Sequence, residues 1–226
     1  MVVLATKLYV EGDARERALD SLTSLVADRL ADLDADVDVG VREDDFPSVT
    51  VEGDDATAAR NLLGEEFGEV VPEHEAGETY VGTLEAWDED GFVLDAGFGN
   101  QVQVPTDEIG LGQGSPEQIR TRFGLVQHVP LEFVAGDGDE PARLSDDARD
   151  ELYEWTRGTG RVNVNSATRS EVRATVNRAG HAEDIVTVER LGLLEQSIVC
   201  REDTDPPGLL ASIGQYLPSE LLCVVP

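Results

Sequence analysis

The 226-residue sequence predicts an α+β protein of three modules, with two small α/β units on either side of a β-barrel. Three observations lead there. Over residues 1–76 apolar positions switch between a helical spacing and a strand alternation, so helices and strands interleave. Over residues 77–135 short strand-like runs dominate, with one short helical stretch. From residue 161 to 226 the interleaving returns. Residues 136–160 between them hold the polar run Gly136-Asp137-Gly138-Asp139-Glu140-Pro141 and a helix, and read as a linker with a helix.

In the first module Val2 to Val10 reads as a strand, and Asp13 opens a helix to about Leu33. Leu19, Leu22, Val26, Leu30 and Leu33 repeat at the three- and four-residue spacing of one buried face. Val37, Val39 and Val41, then Val49-Thr50-Val51, read as strands. Asp54 or Asp55 can cap a second helix with Ala59, Leu62, Leu63 and Phe67 inward. This βαββα order suits a split βαβ, ferredoxin-like or KH-like sheet with helices on one face.

The middle module changes period. Thr79 to Leu84 and Phe92 to Asp95 read as strands joined by the acidic turn Asp88-Glu89-Asp90-Gly91. Val102 and Val104 mark a third strand, and His128 to Val134 a further one. Ser115-Pro116 starts a short helix, with Pro at the first helical position. Several short strands and one small helix are the layout of a five-stranded Greek-key barrel. Ser145 then caps a helix carrying Ala148, Leu152 and Trp155 on one face, and Gly158 and Gly160 end it.

In the last module Val162 to Val164 is a strand, and Thr168-x-x-Glu171 is a capping box. The helix behind it carries Val172, Val176 and Ala179 until Gly180 stops it. Ile185 to Val188 and Ser197 to Cys200 are strands, Asp205-Pro206-Pro207 starts a helix, and Leu221 to Val225 closes the sheet. The order βαββαβ is ferredoxin-like.

Apolar residues make up 40% of the chain, enough to build cores. The net charge is −30, from 47 acidic and 17 basic residues, and Lys7 is the single lysine. Such a chain repels itself at low salt, and at about 1 M salt screening within about 3 Å removes most of that repulsion. The composition therefore predicts a high-salt cytoplasm, as in salt-loving archaea. Cys200 and Cys223 form no disulfide framework and read as buried free thiols. No basic stretch leads into an apolar signal segment, and no 18-residue apolar run exists, so no membrane partner is expected.

His74, His128 and His181 are isolated, with no metal-ligand spacing. No nucleophile elbow, Walker loop or dinucleotide fingerprint is present. Gly110-Leu111-Gly112-Gln113-Gly114 has no lysine and reads as a barrel loop. No catalytic residue, metal or cofactor is expected, which leaves a binding protein.

Two resemblances bear on what it binds. Val81-Gly82-Thr83-Leu84, then Gly91-Phe92-Val93-Leu94-Asp95-Ala96-Gly97, then Val104-Pro105-Thr106-Asp107-Glu108-Ile109-Gly110 resembles the S1 domain. That resemblance implies an OB barrel, with single-stranded RNA held by aromatic stacking and basic residues along the backbone. Phe92 falls at or beside the family's exposed aromatic, and Pro105 stands where many S1 domains carry a base-contacting histidine. Ten acidic and two basic residues give residues 77–135 a charge of −8, a poor platform for RNA, and Phe92 also reads as core. The whole chain resembles the family called domain of unknown function 2110, through the run Thr204-Asp205-x-Pro207-Gly208-Leu209-Leu210. That likeness implies an archaeal source and no particular activity.

One segment departs from the acidic rule. Between Trp155 and His181 stand Arg157, Arg161, Arg169, Arg173 and Arg178 against a single acid, Glu171. Arg169 and Arg173 lie one turn apart on one helix, and Asn163 and Asn165 point to one side of the strand before it. A basic stripe with polar and aromatic neighbours is the footprint of phosphate binding. These five arginines and Phe92 are therefore the candidate contacts to RNA or another single-stranded nucleic acid. Two other readings stay open. The arginines could pair with the chain's own acids, with an acidic partner domain or with another anionic ligand, and the protein could be an interaction module accessory to transcription or translation machinery.

Overall fold

A computed structural model describes residues 1–226. It is a mixed α+β structure of seven helices and three antiparallel sheets, the middle one a curled half-barrel. The N-terminal sheet is built from β1 (Val2–Val3), β2 (Asp36–Val41) and β3 (Pro47–Glu52), with α1 (Gly12–Arg29) between β1 and β2 and α2 (Ala56–Phe67) after β3. Its order is β1-β3-β2. The face of α1 is the one the spacing predicts, with Ala18, Leu22 and Val26 buried; α2 buries Ala59, Leu63 and Phe67. Asp55 precedes α2, but its carboxylate accepts from the Asp34 N–H at 2.9 Å, tying the start of α2 to the loop before β2.

The first strand is a correction. Only Val2 and Val3 pair in the sheet, with Leu4 bridging Glu69, whereas the sequence suggests a strand to Val10. The reason is tertiary. Residues 2 to 8 are all buried, and from Thr6 onward the chain turns its polar groups to the other two modules. Thr6 Oγ1 accepts from the Leu193 N–H at 2.7 Å, and Lys7 Nζ donates to Asp95 at 2.8 Å and Glu85 at 3.2 Å.

The middle sheet contains β4 (Thr79–Trp87), β5 (Gly91–Asp95), β6 (Gln101–Pro105), β7 (Pro130–Val134) and β8 (Arg143–Leu144), in the order β6-β5-β4-β7-β8. Helices α3 (Thr106–Ile109) and α4 (Pro116–Phe123) lie between β6 and β7, and α5 (Asp146–Arg157) follows β8. Gly91 has φ 150°, and a Cβ there would stand 2.1 Å from the Val104 carbonyl oxygen, so only glycine lets β5 pair tightly with β6. Residues Arg143–Leu144 and α5 pack with this sheet. Leu144 pairs with Phe133, and Leu144, Leu152 and Trp155 enter the core that holds Leu84, Leu94, Val104, Phe123 and Phe133.

The C-terminal sheet contains β9 (Arg161–Val164), β10 (Ile185–Arg190), β11 (Gln196–Cys200) and β12 (Leu221–Val224), with α6 (Arg169–Arg178) after β9 and α7 (Pro206–Gly214) after β11. Its order is β10-β11-β9-β12, so β10 is an edge. One sheet face and both helices enclose Val162, Val164, Val172, Val176, Ile198, Leu209 and Ile213. The other face packs on the barrel: Asn163 donates to the Gly124 carbonyl at 2.8 Å and Asn165 to that of Gln127 at 3.2 Å. Cys200 is buried and Cys223 half-buried, both free.

Candidate nucleic-acid interface

Helix α6 begins as its sequence dictates. Thr168 Oγ1 accepts from the Glu171 N–H, and Glu171 accepts from the Thr168 N–H at 2.9 Å, a capping box. Burial pulls the Glu171 carboxyl upward, but the Thr168 donors and Arg17, at 3.0 Å, outweigh it and hold the group below the usual carboxylate range. The one acid of the segment is thus occupied. Val172, Thr175 and Val176 face the core, which leaves Arg169, Arg173 and Arg178 exposed.

Nine arginines and Lys7 form ion pairs with carboxylates. Arg169, Arg173 and Arg178 do not. Arg178 lies over the Tyr216 ring at 4.6 Å, and Tyr216 is 43% exposed. Arg201 joins the group from the end of β11. Its Nε donates to the Ile185 carbonyl at 3.1 Å, and no carboxylate pairs with it. Arg173, Asn177, Val186, Thr187 and Arg201 line a cavity of about 180 Å³ between α6 and β10. Arg201 lies outside the segment with the charge excess, so charge counting along the chain passes over it.

The five candidate arginines do not form one stripe. The two-residue period of β9 turns Val162 and Val164 toward the helices and Arg161 toward the barrel side. Arg161 pairs with Glu189 at 2.5 Å and lies 5.2 Å from the centre of the Trp155 ring. Arg157 pairs with Glu154 at 2.8 Å. Asn163, Asn165 and Trp155 are buried, and the His181 ring nitrogens are engaged by Asp184 at 2.6 Å and Ser212 at 2.8 Å. Phe92 is fully buried in the barrel core, where no base can stack on it. The aromatic that the barrel does expose is Phe98, in the turn after β5, and the Arg42 guanidinium covers it at 4.0 Å. A phenylalanine between Gly97 and Gly99 in a turn is the sequence signal for it.

A second cluster lies where the three modules meet. The Tyr9 hydroxyl donates to Glu195 Oε1 at 2.7 Å and accepts from the Ser166 N–H at 2.8 Å. The Tyr9 and His128 rings lie 3.9 Å apart, and His128 Nδ1 is 3.2 Å from Glu85 Oε2. Burial draws the Lys7 pKa down, yet Asp95 and Glu85 outweigh this and hold it above its ordinary value. The hydrogen bond from His128 is the largest effect holding Glu85 below the carboxylate range, with Lys7 adding to it. Glu195 is 0% exposed, and burial pushes its carboxyl up to about 8, so it is largely protonated at neutral pH. Its Oε2 has no partner.

Beside this junction lies a cleft of about 380 Å³. Its floor includes Val129, Leu131, Leu152 and Trp155, and Glu65, Glu132, Asp147 and Glu151 stand among its walls. No helix is long and apolar enough to cross a membrane.

A search of the curated proteins finds no match to the sequence. Three family profiles match nearly end to end: the DUF2110 N-terminal domain over residues 1–73, the central domain over 74–156 and the C-terminal domain over 159–225. The three matches follow the three sheets, the central one taking in β8 and α5. The chain belongs to the DUF2110 family.

Proposed function

We propose that the protein is a non-enzymatic binding protein that holds RNA or another single-stranded nucleic acid on the α6 face of its C-terminal module. One observation carries this reading. In a chain of charge −30, where most cations pair with carboxylates, Arg169, Arg173 and Arg178 stay exposed and unpaired on one helix. Selection for a salt-tolerant acidic surface gives no reason to keep them there. The strand orders support ferredoxin-like readings of the outer modules and an S1-like OB reading of the barrel. With Phe92 buried, the barrel serves as the body against which the C-terminal sheet is braced.

The composition supports a high-salt cytoplasm, and this constrains how binding works there. Long-range attraction is screened at molar salt, so short-range bidentate guanidinium–phosphate bonds and stacking must supply the affinity. The test is a fluorescence binding assay with single-stranded and structured RNA at molar potassium chloride. Binding at micromolar protein or tighter is expected, and its absence overturns the reading. The fold itself should need salt: the melting temperature rises between 0.1 and 2 M, and a salt-independent value contradicts the high-salt assignment.

The cleft favours a second reading, a protein-interaction module accessory to transcription or translation machinery. An apolar floor with carboxylate walls suits a basic segment of a protein partner. Affinity purification from the native cell separates the two, because partners retained after RNase treatment belong to the second.

A further inference from the structure

The geometry points to a single-phosphate subsite in the cavity between α6 and the edge strand β10, with Arg173 and Arg201 as its two cationic walls. This assignment rests on the nucleic-acid reading and deepens it, since it names the group that is gripped and adds a residue from a distant part of the chain. The cavity is lined by Arg173, Asn177, Thr187 and Arg201 with apolar neighbours, and by no carboxylate. The chain holds 47 acidic residues. Three larger cavities carry Glu65, Glu132, Asp147 and Glu151 in one, Glu108, Asp137 and Glu140 in another, and Glu202, Asp203 and Asp205 in a third.

The two guanidiniums arrive from different elements. Arg173 stands on the second turn of α6. Arg201 follows β11, and its Nε bond to the Ile185 carbonyl leaves both terminal nitrogens of the fork for a ligand. Asn177, one turn beyond Arg173, brings an amide. Two planar forks with an amide beside them match the several oxygens of a phosphate better than the two of a carboxylate. At about 180 Å³ the cavity is below the roughly 300 Å³ at which small-molecule sites begin. It suits a phosphate group, with the sugar and base left outside on the α6 surface. The acid nearest in sequence to the Ile185 anchor, Asp184, is held by His181 at 2.6 Å.

The experiment uses the full chain and two probes, a single-stranded oligouridylate and inorganic phosphate. Inorganic phosphate should shift the Nε resonances of Arg173 and Arg201 and leave that of Arg169 in place. Arg201→Ala should abolish the Arg173 shift and lower the salt dependence of RNA binding by about 0.7 in slope, one single-strand phosphate contact. Arg201→Lys keeps the charge and loses the fork, so it should keep the slope and bind several-fold more weakly; equal affinity of the lysine and native proteins would overturn the fork geometry. RNA binding unchanged by Arg201→Ala, at an unchanged melting temperature, overturns the subsite and leaves the nucleic-acid reading standing. Phosphate shifts without any RNA binding support the subsite and remove the nucleic acid as its source. A glutamate-rich peptide that shifts the same resonances where phosphate does not would overturn it in favour of an acidic protein.

Discussion

The cations at the module junction and those on α6 are handled in opposite ways. Lys7 is buried between two modules and held by Asp95 and Glu85. Arg120, on α4, is buried too, pairs with Glu220 at 2.6 Å and lies over the Trp87 ring at 3.7 Å. Arg169 and Arg173 are exposed and touch no carboxylate. Where basic residues are scarce, each one kept has a use, and these two sets show two of the uses. The buried set ties modules together, and the exposed set is left for something outside the chain. Changes in the first should move stability, and changes in the second should move binding alone.

Lys7→Met puts the heaviest strain on this contrast. Removing one partner of a buried ion pair leaves the other charge uncompensated, typically at about 3–5 kcal/mol. Glu85 keeps His128 at 3.2 Å and both carboxylates reach some solvent, so the lower end, about 3 kcal/mol, is expected. Denaturant unfolding at molar salt measures it. A loss below about 0.5 kcal/mol would mean that the junction is no staple and that its cations resemble those on α6.

Glu195→Gln sharpens the same comparison through pH. The Glu195 carboxyl sits near 8 in the folded chain because it is buried, against about 4.5 for the unfolded group. The folded state therefore binds the proton more tightly, and stability falls as pH rises. The contribution is whole below about pH 4.5, declines by about 1.4 kcal/mol per pH unit and is lost as pH passes about 8. Gln cannot ionise, so the variant should lack this decline, and its advantage over the native chain should grow across that window. Tyr9 faces the group directly, Ser166 donates to the Tyr9 hydroxyl, and His128, Glu85 and Lys7 lie behind Tyr9. Tyr9 is itself pushed far above the ordinary phenol value, first by burial and then by Glu195, so it stays neutral. Glu85 and Glu171, held low, act with the opposite sign and below the usual carboxylate range, outside this window. Parallel pH profiles for the two proteins would show that Glu195 is not the titrating group.

What the sequence makes legible here is local. The buried faces of α1 and α6 follow from the spacing of Leu22 and Val26 and of Val172 and Val176, and the start of α6 from Thr168 and Glu171. The C-terminal strand and helix order was legible for the same reason, since each element carries its own period. What failed needed partners far along the chain. The segment after Leu4 has strand-like apolar residues, yet its pairing is decided by Leu193, Glu85 and Asp95. Phe92 fits both an exposed and a buried reading of the barrel motif, and the pairing of β5 with Val104 in a curled sheet puts it inside. Counting charge from Trp155 to His181 joined arginines that the fold places on α5, on the barrel side of β9 and on α6. It missed Arg201, which reaches the Arg173 cavity only through the fold.

The smallest effect on stability, and the one that decides the contrast, belongs to Arg169→Ala with Arg173→Ala. Both side chains are exposed and unpaired, so the fold should change by no more than about 0.5 kcal/mol. The helix could even gain, because cations in its first half oppose the positive end of the dipole. Their cost to α6 is small, but nothing within the chain offsets it, since Glu171 is committed to Thr168 and Arg17. An external anion would offset it. Removing two single-strand phosphate contacts should flatten the salt dependence of RNA binding by about 1.4 in slope, measured between 0.2 and 1 M salt against the native chain, with the melting temperature followed in parallel. A slope that falls at constant melting temperature sets α6 apart from the junction as the binding face. A melting temperature that falls with the slope unchanged puts both arginines among the staples, and the division between the two regions fails. An unchanged slope and an unchanged melting temperature would place the RNA on another surface.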